Sequence, residues 1–301
     1  MSFFMRPPLE VEIKFSNEES RKKVDLRPKH GASQHKLAPL FAHDETVSGS
    51  VILRPRDGRR VEHNGVKIKF VGTIEQMNRD KPVDNDDFIS WAHELSGPEE
   101  IRHPETLNFE FKNVEKQFES YNGIKVQLRY YVQVTVYTRS NEVTQERDIF
   151  VYHYDKEPQS QNVVTMDIGI ESCLHIEFEY AKNHFSLTDT IVGRIYFLMV
   201  RLKLKHMELS LVRKETSGIG TNATNENEVI VRYEIMDGAP VRGEQIPIRM
   251  HLGGFDLVPT MKDINKKFSV RTFMSLVLVD ESGRRYFKQS ELMLYRPEPE
   301  L

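Results

Sequence analysis

A single cysteine, Cys173, in 301 residues excludes an internal disulfide and suits a reducing compartment. Long apolar runs are missing as well. The longest, Ile195 to Val200 between Arg194 and Arg201, falls far short of the roughly 20 residues that span a bilayer. The opening Met1-Ser2-Phe3-Phe4-Met5-Arg6-Pro7-Pro8 lacks an apolar core of signal-peptide length, so the expected location is the cytosol or the cytosolic face of a membrane. Neither sign of charge dominates: 42 basic against 45 acidic residues give a net charge of -3, and no electrostatic argument for a nucleic-acid partner.

Catalytic signatures are absent in the same way. The 11 histidines include no His-x-His and no His-Glu-x-x-His, so no metal is expected. Gly253-Gly254 and Ser217-Gly218-Ile219-Gly220 lack the spacing and following lysine of a phosphate loop, and there is no Gly-x-Ser-x-Gly elbow. Asp84, Asp86 and Asp87 lack the glycine and distal glutamate of a calcium loop. Cys173 and His175, two apart on an expected strand, have no third group to orient a thiolate pair. No cofactor and no enzymatic activity are expected. Asn222-Ala223-Thr224 matches a glycosylation sequon but, without a secretory route, reads as a polar loop.

What the chain does contain is one module twice. Asp44-Glu45-Thr46-Val47-Ser48-Gly49-Ser50-Val51 is echoed by Thr188-Asp189-Thr190-Ile191-Val192-Gly193-Arg194-Ile195. Each octet reads as a polar turn feeding a strand, with the glycine where a bulge or a close backbone crossing leaves no room for Cβ. A second echo pairs Val126–Val136 with Phe268–Leu278. Gly49 to Gly193 is 144 positions and Arg129 to Arg271 is 142, so both echoes share one register. Hydrophobic content of 39%, charged content of 29% and the length suit two ordinary domains of roughly 100–200 residues.

Along the chain the period is almost everywhere two, beginning with Leu9, Val11, Ile13 and Phe15 against Glu10, Glu12 and Lys14. Residues 21–40 read as irregular with at most one edge strand. Arg54-Pro55-Arg56-Asp57-Gly58-Arg59-Arg60 reads as a solvated basic hairpin tip. One segment breaks the pattern: Phe88, Trp91, Ala92 and Leu95 after Asp86-Asp87 sit at helical spacing and stop at Ser96-Gly97-Pro98, which predicts one short amphipathic helix. Arg201, Lys203 and Lys205 alternate with Leu202, Leu204 and His206 as the wet face of a strand. The polar stretch Asp155–Asn162 reads as a linker. The expected fold is all-β, with two tandem antiparallel Greek-key β-sandwich domains over residues 1–157 and 163–301 and one short helix in the first.

Two such sandwiches in tandem resemble the arrestin architecture. At the level of residues, Gly169–Tyr180, Tyr233–Pro240 and Asn265–Arg271 resemble the arrestin-fold subunit of retromer, the endosomal sorting coat, densely over residues 163–296 and more loosely over the first domain. The resemblance implies a non-enzymatic subunit, peripheral on the cytosolic face of endosomes and associated with the membrane indirectly. Its implied partners are the helical-solenoid scaffold subunit of the coat and, together with sorting nexins, the cytoplasmic tails of cargo receptors in retrograde or recycling transport. A free-standing arrestin-type cargo adaptor for ubiquitin ligases is the alternative, but Pro7-Pro8-Leu9-Glu10 is not the Pro-Pro-x-Tyr peptide such adaptors display.

The resemblance also places surfaces. Val229, Val231 and Tyr233 alternate inward by pattern, and Ile235 and an exposed Met236 arrive just before the Asp237-Gly238 turn. By resemblance Tyr233, Ile235, Met236, Asp237 and Gly238 meet the scaffold. Met166–Ile170, entering from the linker, reads as an edge strand able to accept an extended peptide. By resemblance Ile168, with Tyr286 and Phe287, walls a pocket for a bulky aliphatic residue of a receptor tail, completed by a sorting nexin. Asp44 and Glu45, expected to face solvent, form a possible adaptor surface.

Overall fold

The structure is a computed structural model describing residues 7–299 other than 27–35, 59, 79–80, 140, 159–161 and 219–222. The opening residues 1–6, the Gly31 loop, Arg59, Asn222 of the sequon, Ile219, Gly220 and part of the linker therefore lie outside the described residues. The chain divides into two compact units, Met1–His153 and Tyr154–Leu301.

The first unit holds β1 (Leu9–Phe15), β2 (Lys23–Asp25), β3 (Leu37–Ala42), β4 (Val47–Pro55), β5 (Val61–Asn78) and β6 (Lys81–Ser96). After these come β7 (Glu99–Ile101), β8 (Glu105–Phe111), β9 (Tyr121–Asn122), β10 (Val126–Thr138) and β11 (Glu142–Tyr152). One sheet runs β1-β4-β8; the other runs β2-β3-β11-β10-β5-β6, with β7 added on β5 and β9 on β10. The alternation of β1 buries Leu9, Val11, Ile13 and Phe15 against the facing sheet, where the Phe15 ring meets Phe41 of β3 edge-on at 5.7 Å.

The second unit holds β12 (Val164–Ile170), β13 (Leu174–Tyr180), β14 (His184–Ser186), β15 (Thr190–Val200) and β16 (Leu204–Ser217). It continues with β17 (Thr224–Asp237), β18 (Gln245–His251), β19 (Met261–Ile264), β20 (Phe268–Asp280) and β21 (Arg285–Tyr295). Its sheets run β12-β13-β15-β18 and β14-β21-β20-β16-β17, with β19 added on β20. Between them Ile176, Phe178, Ile195, Phe197, Leu209 and Leu276 are shut off from solvent. Among the described residues, strand pairing is antiparallel except for two short parallel pairs, β3 with β11 and β14 with β21, and an isolated parallel bridge joins Asp155 to Pro297.

The two octets become β4 and β15, and their glycines occupy the same place. A Cβ on Gly49 would stand 2.0 Å from the Lys14 carbonyl oxygen of β1, and one on Gly193 would stand 2.5 Å from the Glu179 oxygen of β13. The turn before each strand is built alike. Glu45 accepts the Ala42 N–H at 3.2 Å, Asp189 accepts the Ser186 N–H at 2.9 Å, and each carboxylate pairs with a cation, Arg21 or Lys182. Matched this way, β1, β4 and β8 correspond to β13, β15 and β18, and β12 has no counterpart in the first unit.

The predicted helix does not form. Residues 86–95 lie within β6, the edge strand paired with β5. Its register shifts leave Val83, Phe88 and Leu95 as extra residues, because Pro82 and Asp84, Asp87 and Ile89, and Glu94 and Ser96 oppose adjacent positions of β5. A bulge inserts one residue and turns the next side chain to the other face, so a bulged strand here imitates a helical spacing. Phe88 is turned inward over Gly72, against Phe118 and Tyr130, while Trp91 is left exposed.

Three smaller expectations also change. Cys173 sits in the turn between β12 and β13, not within strand alternation. Residues 201–203 form a connection between β15 and β16, so Arg201, Lys203 and Lys205 share no sheet face. Arg54, Arg56 and Arg60 reach solvent as expected, but the basic stretch is no hairpin tip, because β4 and β5 lie in different sheets. Arg54 pairs with Glu12, and Arg56 and Arg60 approach Glu10 and Glu100 at 3.9 and 3.7 Å.

The crossing glycines set a stability test. Gly193→Ala forces a methyl group against backbone and should cost about 1–3 kcal/mol. Gly253→Ala, whose Cβ would meet only Thr188 at 3.5 Å, should stay within about 0.5 kcal/mol of wild type. Thermal unfolding of the two variants side by side checks this, and equal midpoints would remove the crossing constraint.

Candidate functional site

Two exposed apolar side chains of the second unit, Val229 and Tyr233, lie on an edge strand. β17 closes the six-stranded sheet and, among the described residues, pairs only with β16. Leu211 opposes Val231 while Val212 opposes Val229, and Met207 opposes Met236 while Glu208 opposes Glu234, so Ile230 and Ile235 are the inserted residues of two bulges. The consequence is visible in burial. Ile230 with Val231, and Ile235 with Met236, turn pairwise onto the core, whereas Val229 and Tyr233 are 49% and 43% exposed. The expected inward alternation of Val229, Val231 and Tyr233 fails for this reason. Met236, expected exposed, is half-buried.

Ile235 and Tyr233 line a cavity of about 600 Å³ together with Leu209, Ile246, Ile248 and Phe255. β18 supplies two of these, and it ends the other sheet, so the cavity lies between two open edges. Tyr233 meets Phe255 edge-on at 6.4 Å. Asp237 is exposed, and Gly238 takes φ +101°, a left-handed conformation that side chains rarely adopt, while its N–H donates to the Lys205 carbonyl at 2.7 Å. Ile246, Ile248 and Phe255 were not anticipated as site residues. The alternation of β18 is legible in the sequence, but its position facing β17 is not.

The second predicted group is divided. β12 is the free edge of the four-stranded sheet, but Ile168 is only 7% exposed and belongs to the core. Tyr286 is packed against that core, its hydroxyl donating to Asp280 Oδ2 at 3.1 Å. Asp280 also accepts from Ser282 Oγ and the Arg284 N–H, and these hydrogen bonds hold its carboxyl below the usual range. Phe287, 70% exposed, alone presents an apolar surface here. β14 pairs with β21 only at Met293–Tyr295, which leaves the stretch around Phe287 hydrogen-bonded to β20 alone among the described residues.

In the first unit Asp44 is exposed as expected, but Glu45 is turned back to Arg21 and the Ala42 N–H. Beneath this turn lies Lys116, fully shut off from solvent, whose ammonium donates to the carbonyl oxygens of Glu45 at 2.6 Å and Val114 at 3.3 Å. Burial pulls its pKa down to about 8, against the opposing pull of Glu45 and Asp44. No pattern around Lys116 marks it in the sequence, because a buried lysine and a surface one share the same polar neighbours.

Two antiparallel β-sandwich units in tandem define an arrestin-like fold. The profile of vacuolar protein sorting-associated protein 26 matches residues 5–283, and the chain belongs to that family. It is 47% identical over 296 residues to the vacuolar protein sorting-associated protein 26 of Schizosaccharomyces pombe, covering 98% of each chain. Against vacuolar protein sorting-associated protein 26B of Homo sapiens it is 48% identical over 298 residues, 98% of this chain and 88% of the relative. Against the 26B-B protein of Xenopus laevis the identity is 48% over 298 residues, 98% and 87% respectively.

Lys116 generates a pH dependence. Its pKa is about 8 in the folded chain against 10.5 for an ordinary lysine, so between those values the unfolded chain binds more protons. Stability contributed by this site is therefore flat below pH 8 and rises from pH 8 to 10.5, by at most about 1.4 kcal/mol per pH unit. The unfolding free energy of wild type minus that of Lys116→Met should climb across this window. A difference independent of pH would mean that Lys116 keeps an ordinary pKa.

Proposed function

We propose that the chain is a non-enzymatic binding subunit of a retromer-type coat that sorts membrane proteins on the cytosolic face of endosomes. Its relatives carry protein sorting in their names, and the runs Gly169–Tyr180, Tyr233–Pro240 and Asn265–Arg271 resemble the arrestin-fold subunit of that coat. The observation that carries the reading is the apolar group at the end of β17. Two adjacent large side chains, Ile235 and Met236, are delivered by a bulge beside an apolar cavity between open edges. Aromatic and aliphatic side chains in such a pocket are the usual anchors of an interface.

In this reading the helical-solenoid scaffold subunit docks on Tyr233, Ile235, Met236 and the Asp237-Gly238 turn. A receptor tail and a sorting nexin meet Phe287 and the free edge of β12, where an extended peptide adds as a strand. Ile168 shapes that edge from within the core, without touching the tail. Asp44 offers a solvent-facing charge to an adaptor, while Glu45 is committed to Arg21.

Ile235→Asp combined with Met236→Asn should abolish co-purification of the scaffold, each truncation being worth about 2 kcal/mol or more at a buried anchor. Because both side chains also pack on the core, the thermal midpoint should fall. Val241→Asp, at an equally apolar but 68% exposed position, should keep scaffold binding. Scaffold retained by the double variant would sink the assignment, and elution of the endogenous chain as a solitary species on gel filtration would favour a free-standing adaptor instead. Phe287→Asp should weaken tail binding measured with scaffold and nexin both present, yet leave scaffold assembly intact. Unchanged tail affinity would place the peptide elsewhere.

A further inference from the structure

On the outer face of the four-stranded sheet, β12 and β13 bring three ligating groups together. Asp167 of β12 and Glu177 of β13 are direct cross-strand neighbours, and His175 stands two residues before Glu177 on the same face. His175 Nε2 lies 3.1 Å from Asp167 Oδ2 and 3.7 Å from Glu177 Oε1, and the ligating atoms of all three groups lie within 4.8 Å of one another. A tetrahedral zinc ion, with bonds of roughly 2.0–2.2 Å, holds its donor atoms about 3.3–3.6 Å apart. The two histidine–carboxylate separations bracket that value, and the third pair lies within 4.8 Å, a gap that side-chain rotation can close.

Two further observations point to a cation. Like charges directly opposite on neighbouring strands repel, and among the described ion pairs of Asp167 and Glu177 the only partner is His175. The residue opposite His175 is Gly169, where a Cβ would find nothing nearer than Asp167 Oδ1 at 3.9 Å. The missing side chain leaves the space above the imidazole open on the β12 side, so the remaining coordination positions face water.

We propose that Asp167, His175 and Glu177 form a binding site for one divalent transition-metal ion of the zinc class, with water completing the shell. One imidazole and two carboxylates suit such an ion, whereas magnesium and calcium favour all-oxygen shells. Ligation requires the neutral imidazole with its proton on Nδ1, which leaves the Nε2 lone pair directed at the metal. The bound ion ties β12 to β13. That edge strand pairs with β13 alone among the described residues, so the cross-link fixes a strand held by hydrogen bonds on one side. The site stands on this geometry alone and does not depend on the partners assigned above.

The test is a calorimetric titration of the full, tag-free chain, stripped with chelator, with Zn2+, repeated with Co2+ to read coordination from its visible spectrum. One metal per chain is expected, with four-coordinate Co2+ bands that Zn2+ displaces. Affinity should fall at least about tenfold in His175→Ala and again in Asp167→Asn, with unchanged far-ultraviolet circular dichroism. If a variant loses its fold, Glu177→Gln takes its place. Absence of stoichiometric binding to the wild type, or the same affinity in the folded variants, overturns the proposal.

Discussion

Each sandwich is organised around a place where two backbones come closer than any side chain allows. At Gly49 and Gly193 the neighbouring strand's carbonyl oxygen fills the volume of a Cβ, so the central strand of each smaller sheet is held at a distance set by backbone sterics. The turn just ahead of the glycine fixes the strand's direction through a carboxylate that accepts a backbone N–H and pairs with a distant cation. Turn, crossing and first buried residue follow one another within eight positions. That is why this octet, out of the whole chain, is the stretch that both halves share. In the first unit the same turn also roofs Lys116, so its carboxylate side faces a cation outside and its carbonyl side an ammonium inside.

The duplication and the all-β class are legible in sequence because they rest on period-two alternation and on glycines with a steric duty. What escapes is the bulge. Phe88, Trp91, Ala92 and Leu95 look helical only because two inserted residues reset the alternation twice, and the same device defeats the inward reading of Val229, Val231 and Tyr233. A bulge has no residue signature of its own here. The repeat did hold the correction: Lys81 and Thr224, the first residues of β6 and β17, lie 143 positions apart, inside the 142–144 offset of the two echoes. Site residues followed the same rule. Phe287 and Ile168 were both named through resemblance, and Phe287 is exposed whereas Ile168 is a core residue that only its register could have identified.

Charge inside the units is handled by the repeat as well. Arg129 on β10 is held by Asp148, Glu75 and Glu146, and its counterpart Arg271 on β20 stands 3.6 Å from Glu291. Arg213, only 3% exposed, is paired with Glu228 and donates to the Asp256 carbonyl at 3.1 Å. Buried guanidinium groups tolerate such positions when several acceptors share the fork. These pairs join neighbouring strands of the larger sheets.

The bulges of β6 and β17 matter beyond the side chains they redirect. An open edge presents a template on which a second copy can add, and a regular one invites fibril growth. Here each insertion breaks the ladder after a few residues, and on β6 the interruptions at Val83 and Phe88 enclose the carboxylates Asp84, Asp86 and Asp87. Copies crowded side by side meet edges that are kinked and negatively charged, and no long zipper of hydrogen bonds can start from them. The irregularity that obscures these two strands in the sequence thus also removes them as regular templates for edge-to-edge pairing.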